Sequence, residues 1–206
     1  QERLHLTKFV SDESLKEVEK ADLEGLKLGG ERKEATVLFS DIRGFTSMSE
    51  KMEPEDVVNL LNTYYDKKTE IIQNFGGDID KFVGDEVMAI FKGDQMANQA
   101  VDCAVEIQAE IQRLNRELGK NIEIGIGINS GSMVMGAMGS KDRMDFTVIG
   151  DNVNLASRLC SAAKAGEVII SENTEKLLVD TNSKMIKLDP IQVKGKEKPI
   201  QIYRVE

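Results

Sequence analysis

The order of apolar patterns between positions 35 and 128 limits this chain most severely. "ATVLFS" at 35–40 is a short apolar run and reads as a buried strand. Val57, Leu61, Tyr64, Ile71, Ile72 and Phe75 then recur at helical spacing. Pro54 suits the first helical position, Glu55 and Asp56 suit the positive end of the helix dipole, and Gly76-Gly77 ends the helix. "DIDKFV" and "EVMAIF" flank Gly84-Asp85 as a hairpin. A second helix is predicted over 94–118, with Ala97, Val101, Ala104, Ile107, Ile111 and Leu114 on one face. "IEIGIGI" at 122–128 alternates strictly, a strand with glycines on its other face. Strand, helix, strand, strand, helix, strand is the split βαβ order of a ferredoxin-like, palm-like α+β core. The expected sheet is mixed and mainly antiparallel.

That order has a chemical consequence. It sets the first strand antiparallel beside the third, so the end of one lies near the start of the other. Asp41, just past the first strand, then meets Asp85 in the hairpin turn, 44 positions away (85 − 41). Two carboxylates converging at one sheet edge destabilise each other unless a cation lies between them. Mg²⁺ takes oxygen ligands and pairs one or two carboxylates with substrate phosphates. Asp41 therefore reads as half of a metal site. Taken alone, Asp41 would be an ordinary turn or cap residue and Asp85 an ordinary hairpin residue.

Composition narrows the chemistry further. A net charge of −9 over 206 residues argues against nonspecific nucleic-acid binding and against contact with an anionic membrane. A polyanionic ligand would have to be brought in by metal ions or by local Lys and Arg. The apolar runs are too short for a membrane span, and no signal peptide is visible. His5 is the only histidine, which argues against Ser-His-Asp or Cys-His catalysis and a His-ligated zinc. Cys103 and Cys160 lack metal-ligand spacing and read as reduced core thiols of a cytoplasmic protein.

The flanks extend this core. Residues 1–34 are charged, with helical spacing at Leu15, Val18, Leu23 and Leu26, then "KLGGERKE". They read as a connector helix and linker from an upstream sensor, with the main domain over 35–206. Beyond 128, "MVMGAMG" is a hairpin strand and Asp151 an N-cap. Asn154 and Arg158, four apart, share a helix face. "EVIIS" is a strand, Ser171 caps a helix running to Leu178, and the end forms two strands around Lys194-Gly195-Lys196. The whole is a C-terminal α/β extension.

"FSDIRGFT", "KFVGDEVMAIF", "GIGINSG", "TVIGDNVNLASR" and "VKGK", in this order, resemble the class III nucleotidyl cyclase catalytic domain over roughly 33–206. The resemblance implies a homodimer with composite sites. Its reaction would be attack of the ribose 3′-hydroxyl of ATP on the α-phosphorus, giving 3′,5′-cyclic AMP and pyrophosphate. It implies two Mg²⁺ or Mn²⁺ per site, held by Asp41, Asp85 and the backbone carbonyl of Ile42, with one ion lowering the hydroxyl pKa and the other clamping phosphates. Backbone N–H groups of Gly44, Phe45 and Thr46 would contact phosphate oxygens. Asn154 would orient the ribose, and Lys194 would bind terminal phosphates. Arg158 would stabilise charge on the α-phosphate, a role whose removal typically costs about two to three orders of magnitude in rate.

By the same resemblance, Lys81 and Thr147 read the base. An ammonium only donates, which suits adenine N1 and opposes the guanine N1–H. Many adenylate cyclases have Asp where Thr147 stands, so the chain is similar to the threonine-bearing, often bicarbonate-responsive subgroup. A hydroxyl can accept from adenine N6 but can also rotate and donate, so Lys81 carries most of the preference for ATP. Alternatives are a guanylate cyclase, a diguanylate cyclase (echoed faintly in "FGGDIDKFVGDEV") and an inactive dimerisation or nucleotide-binding module.

Overall fold

The structure is a computed structural model. It describes residues 7–12, 14–16, 18–19, 28–140, 143–193 and 197–206. The Lys194-Gly195-Lys196 turn and most of the expected connector helix lie outside the described residues. Among the described residues, no helix is long and apolar enough to cross a membrane.

Among the described residues, eight strands form one sheet. They are β1 (Gly29–Ile42), β2 (Asp78–Val83), β3 (Glu86–Phe91), β4 (Ile124–Gly139), β5 (Met144–Ile149), β6 (Val168–Ser171), β7 (Met185–Lys187) and β8 (Ile202–Val205). The order is β2-β3-β1-β4-β6-β8-β7, with β5 hairpinned onto β4. Only β4 with β6 is parallel among the strand pairs; the others are antiparallel. The helices are α1 (Phe45–Ser49), α2 (Pro54–Asn74), α3 (Met96–Leu118), α4 (Asp151–Ala162) and α5 (Glu172–Glu175). The expected α+β core and C-terminal extension are both present.

Both faces of the sheet are covered, which is why "ATVLFS" is apolar without alternation. Leu38 packs with α2 and α3, among Tyr64, Ile72, Ile107 and Ile111. Ala35, Val37 and Phe39 face the other way, against Val153, Ala156 and Cys160 of α4 and Val148 of β5. The stripe expected on α3 is buried throughout. On α2 the buried stripe runs Leu60, Tyr64, Lys68, Ile71 and Ile72, so a lysine occupies a core position that its residue type concealed.

Five readings need correction. β1 begins at Gly29, so residues 29–34, expected as linker, pair with the far half of β4. Gly30 and Gly136 sit opposite each other, and a Cβ on Gly136 would come within 2.0 Å of the Gly29 carbonyl oxygen, so that pairing needs the glycines. "IGIGI" and "MVMGAMG" are one strand, because β1 is long enough to pair with both. Gly150, not Asp151, is the N-cap of α4; its carbonyl accepts from Val153 and Asn154, while Asp151 is the first helical residue. Near the C-terminus, α5 stops at Glu175, and the first of the two expected strands is a single bridge, Ile191 to Ile200.

Candidate active site

The first cluster forms at the end of β1. Register places Asp41 opposite Gly125 and Ile42 opposite Ile124. Gly84, at φ +60°, turns the β2–β3 hairpin and delivers Asp85. The Ile42 N–H donates to Asp85 Oδ2 at 2.7 Å. Two acidic residues far apart in sequence are thus joined through the residue next to one of them. Tyr65 of α2 steadies the turn: its hydroxyl donates to the Gly84 carbonyl and its ring packs on Phe82, centroids 4.5 Å apart. Burial, then the Asp85 charge, raises the Tyr65 pKa and keeps the phenol a donor.

Arg43 has no role in the sequence reading, yet it holds Asp41. Its guanidinium ion-pairs with Asp41 and donates to the Ala163 carbonyl at 2.9 Å. Gly125 makes the space, since a Cβ there would lie 2.8 Å from the guanidinium carbon. Asp41 Oδ1, the oxygen in that ion pair, is buried. The Asp41 carboxylate, held by Arg43, and the Asp85 carboxylate, held by the Ile42 N–H, are oxygen donors of the kind that Mg²⁺ or Mn²⁺ takes. Among the described residues no cluster of three or more His, Cys, Asp and Glu exists, so the remaining ligands would come from backbone, water or phosphate.

Past the cluster, Gly44 takes φ +67°, a conformation that favours glycine, although a Cβ would meet nothing within 4 Å. Backbone geometry, not space, sets that residue. Phe45 and Thr46 open α1, whose start has no side-chain cap.

The second cluster joins β2 to β5. Thr147 Oγ1 donates to Asp80 Oδ2 at 2.8 Å, and Lys81 Nζ lies 3.3 Å from the same oxygen. The two expected base readers therefore converge, through an acidic residue that sequence reasoning missed. Burial raises the Asp80 pKa, while Thr147 and Lys81 pull it back. An open cleft of about 810 Å³ borders Asp80, Lys81, Phe82, Phe146 and Thr147 on one side and residues 8–12 on the other. That is large enough for a nucleotide base and sugar.

Asn154 and Arg158 lie on the exposed face of α4. The placement of α4 explains "GIGINSG". Ile126 and Ile128 fill the core on one face, and Gly127 lets the α4 backbone approach on the other. Asn129 then donates to the Asn152 carbonyl at 2.8 Å, and Asn152 donates to the Ser132 carbonyl at 2.8 Å. A buried chain of hydroxyls continues from Asn129 through Ser171, Thr174 and Ser130 to Thr36. Lys194 lies outside the described residues.

Comparison with known proteins follows this geometry. The family model described as "Adenylate and Guanylate cyclase catalytic domain" matches residues 30–206. An adenylate cyclase of Anabaena cylindrica is 36% identical over 97% of this chain, which spans 42% of that relative's length. The crystal structure of the adenylyl cyclase CyaB from P. aeruginosa is 42% identical, with a TM-score of 0.82 over 87% of this chain and 96% of that one. The guanylyl cyclase Cya2 is 37% identical, with a TM-score of 0.78 over 86% and 94%.

Proposed function

This chain belongs to the adenylate and guanylate cyclase catalytic domain family, and we propose that it converts ATP to 3′,5′-cyclic AMP and pyrophosphate as a homodimer. One observation carries the reading: Asp85 accepts a hydrogen bond from the backbone of Ile42, the residue that follows Asp41 at the end of β1. Asp41, Asp85 and the Ile42 carbonyl hold two divalent cations per site, which lower the pKa of the attacking 3′-hydroxyl and neutralise the phosphates when bound. The N–H groups of Gly44, Phe45 and Thr46 receive phosphate oxygens, and Lys194 pairs with the terminal phosphates. Asn154 orients the ribose, and Arg158 meets the charge that grows on the α-phosphate.

Both adenylyl and guanylyl cyclases are similar to this chain, so base choice rests on Lys81 and Thr147. A donor at Lys81 matches adenine N1 and opposes the guanine N1–H. The homodimer is supported by Phe82 and Val83, 46% and 56% exposed between Lys81 and Asp85, and by Ile149, 53% exposed at the end of the strand that carries Thr147. Apolar groups interleaved with site residues suit a surface that a second copy covers. Residues before β1 lead to an upstream regulatory unit in the longer protein, and the domain works in the cytoplasm.

The test is to incubate purified protein with ATP or GTP and Mg²⁺ or Mn²⁺, then separate the products chromatographically. Cyclic AMP is expected, and it should vanish in the double variant Asp41→Ala, Asp85→Ala. Activity surviving in that variant would overturn the metal assignment. A cyclic dinucleotide product would overturn the reaction.

A further inference from the structure

Asp80 occupies an irregular position in β2. Ile79 sits opposite Ala89 and Lys81 opposite Met88, so Asp80 is the extra residue of a bulge. Bulges re-aim side chains. This one turns the Asp80 carboxylate into the protein, with 2% of the side chain exposed, toward Thr147 on β5.

A carboxylate has lone pairs and no proton to give. The Thr147 hydroxyl must therefore spend its only proton on Asp80 Oδ2, and it faces the cleft with acceptor lone pairs alone. The Lys81 ammonium lies against the same oxygen and keeps further N–H groups for a ligand. The cleft then shows one fixed acceptor and one fixed donor, side by side. Adenine supplies the complement, an amino donor at N6 and an acceptor at N1. Guanine supplies the reverse, a carbonyl at O6 and an N–H at N1.

We propose that Asp80 is a positioning residue for base choice: it locks the Thr147 hydroxyl as an acceptor beside the Lys81 donor, so that the threonine selects adenine as a carboxylate would. This rests on the reading that Lys81 and Thr147 contact the purine. It removes the rotational ambiguity of a lone hydroxyl, which sequence alone leaves open.

The test compares wild type, Asp80→Asn, Thr147→Val and the double variant. Turnover of ATP and GTP is measured, and each nucleotide is also competed against a fluorescent ATP analogue. Asp80→Asn should lower the ATP-to-GTP ratio of kcat/KM about tenfold, the scale of one misdirected polar contact. Melting temperature should change little, and Asp80→Glu should restore part of the ratio. Thr147→Val should lower the ratio in the wild-type background but change it less than twofold once Asp80 is Asn. Should Asp80→Asn fail to fold, Asp80→Ser, which leaves room for water, should show the same loss. An unchanged ratio in the Asp80 variants, or an equal effect of Thr147→Val in both backgrounds, overturns the proposal while leaving the cyclase reading intact. Absence of turnover with ATP-selective binding that Asp80→Asn abolishes supports the proposal and overturns the cyclase reading. Failure of both nucleotides to bind overturns both.

Discussion

Lys68 shows how a single residue can serve a site that it does not line. It is fully buried on α2, 1% exposed, in a stripe otherwise made of Leu60, Tyr64, Ile71 and Ile72. Burial lowers its pKa to about 8, while Cys160 and Asp85 act in the opposite direction. The charge beneath Asp85 is therefore retained at neutral pH at the expense of stability. Below pH 8 folded and unfolded chains both carry the proton, so the burial penalty is fully present. Between about pH 8 and the ordinary lysine value of 10.5 the folded chain releases its proton first, so stability rises with pH. The gain approaches a limit on the order of 3 kcal/mol. Urea unfolding in EDTA between pH 7.5 and 9.5 should show wild type gaining on Lys68→Met as pH rises; a constant difference would refute the assignment. At this scale the sequence was partly legible. Asp41 and Asp85 could be paired because strand order alone brings them together. Arg43, Asp80 and Lys68 could not, because their roles depend on which way a side chain turns: over Gly125, out of a bulge, and into the core.

Elements differ in how rigidly they are seated, and α4 is seated most tightly against the sheet. A Cβ on Gly127 would lie 2.0 Å from the Cys160 backbone nitrogen and 2.5 Å from the Ala156 carbonyl oxygen. Neither atom can be moved by a rotamer change, so Gly127→Ala must displace the helix. The three atoms nearest a Cβ on Gly125 all belong to the Arg43 guanidinium, at the far end of a flexible side chain. Gly127→Ala should therefore destabilise the fold by about 1–3 kcal/mol or more, and Gly125→Ala by less. For a chain of this size that difference is roughly 5 °C in melting temperature. Calorimetry of the two variants would decide, and equal losses would show that α4 does not depend on the Gly127 contact. Turnover should fall with Gly127→Ala as well, because Asn154 and Arg158 ride on the displaced helix. The alternating glycines announced a close approach in the sequence, but not which element approaches. The first half of the sheet was readable because its periodicities are strong. The last strands were not: β7 is three residues long and Ile191 makes one bridge, too short for any period to register.

Across the whole molecule, the proposed site residues fall into sets carried by different elements: Asp41 and Asp85 at the β1 end and hairpin turn, Lys81 and Thr147 around Asp80, Asn154 and Arg158 on α4. About 7 Å of strand separates Lys81 from Val83, where the hairpin turns toward Asp85, and Phe82 and Val83 there are exposed. In the proposed homodimer with composite sites, the proposed metal-holding set of one copy works with the proposed base-reading and α4 sets of the other. A chain with Asp41→Ala and Asp85→Ala would then lack one half of each site, and a chain with Asn154→Ala and Arg158→Ala the other half. Each homodimer should be inactive. In a mixed dimer one site gathers every defect and the other gathers none. Random pairing makes half of the dimers mixed, each with one of two sites whole, so an equal mixture should recover about one quarter of wild-type activity. The measurement is cyclic AMP formation after mixing, with subunit exchange confirmed by differently tagged chains. Exchange without recovered activity would mean that each site is built within a single chain, because only then does every chain carry its own defect into its own site.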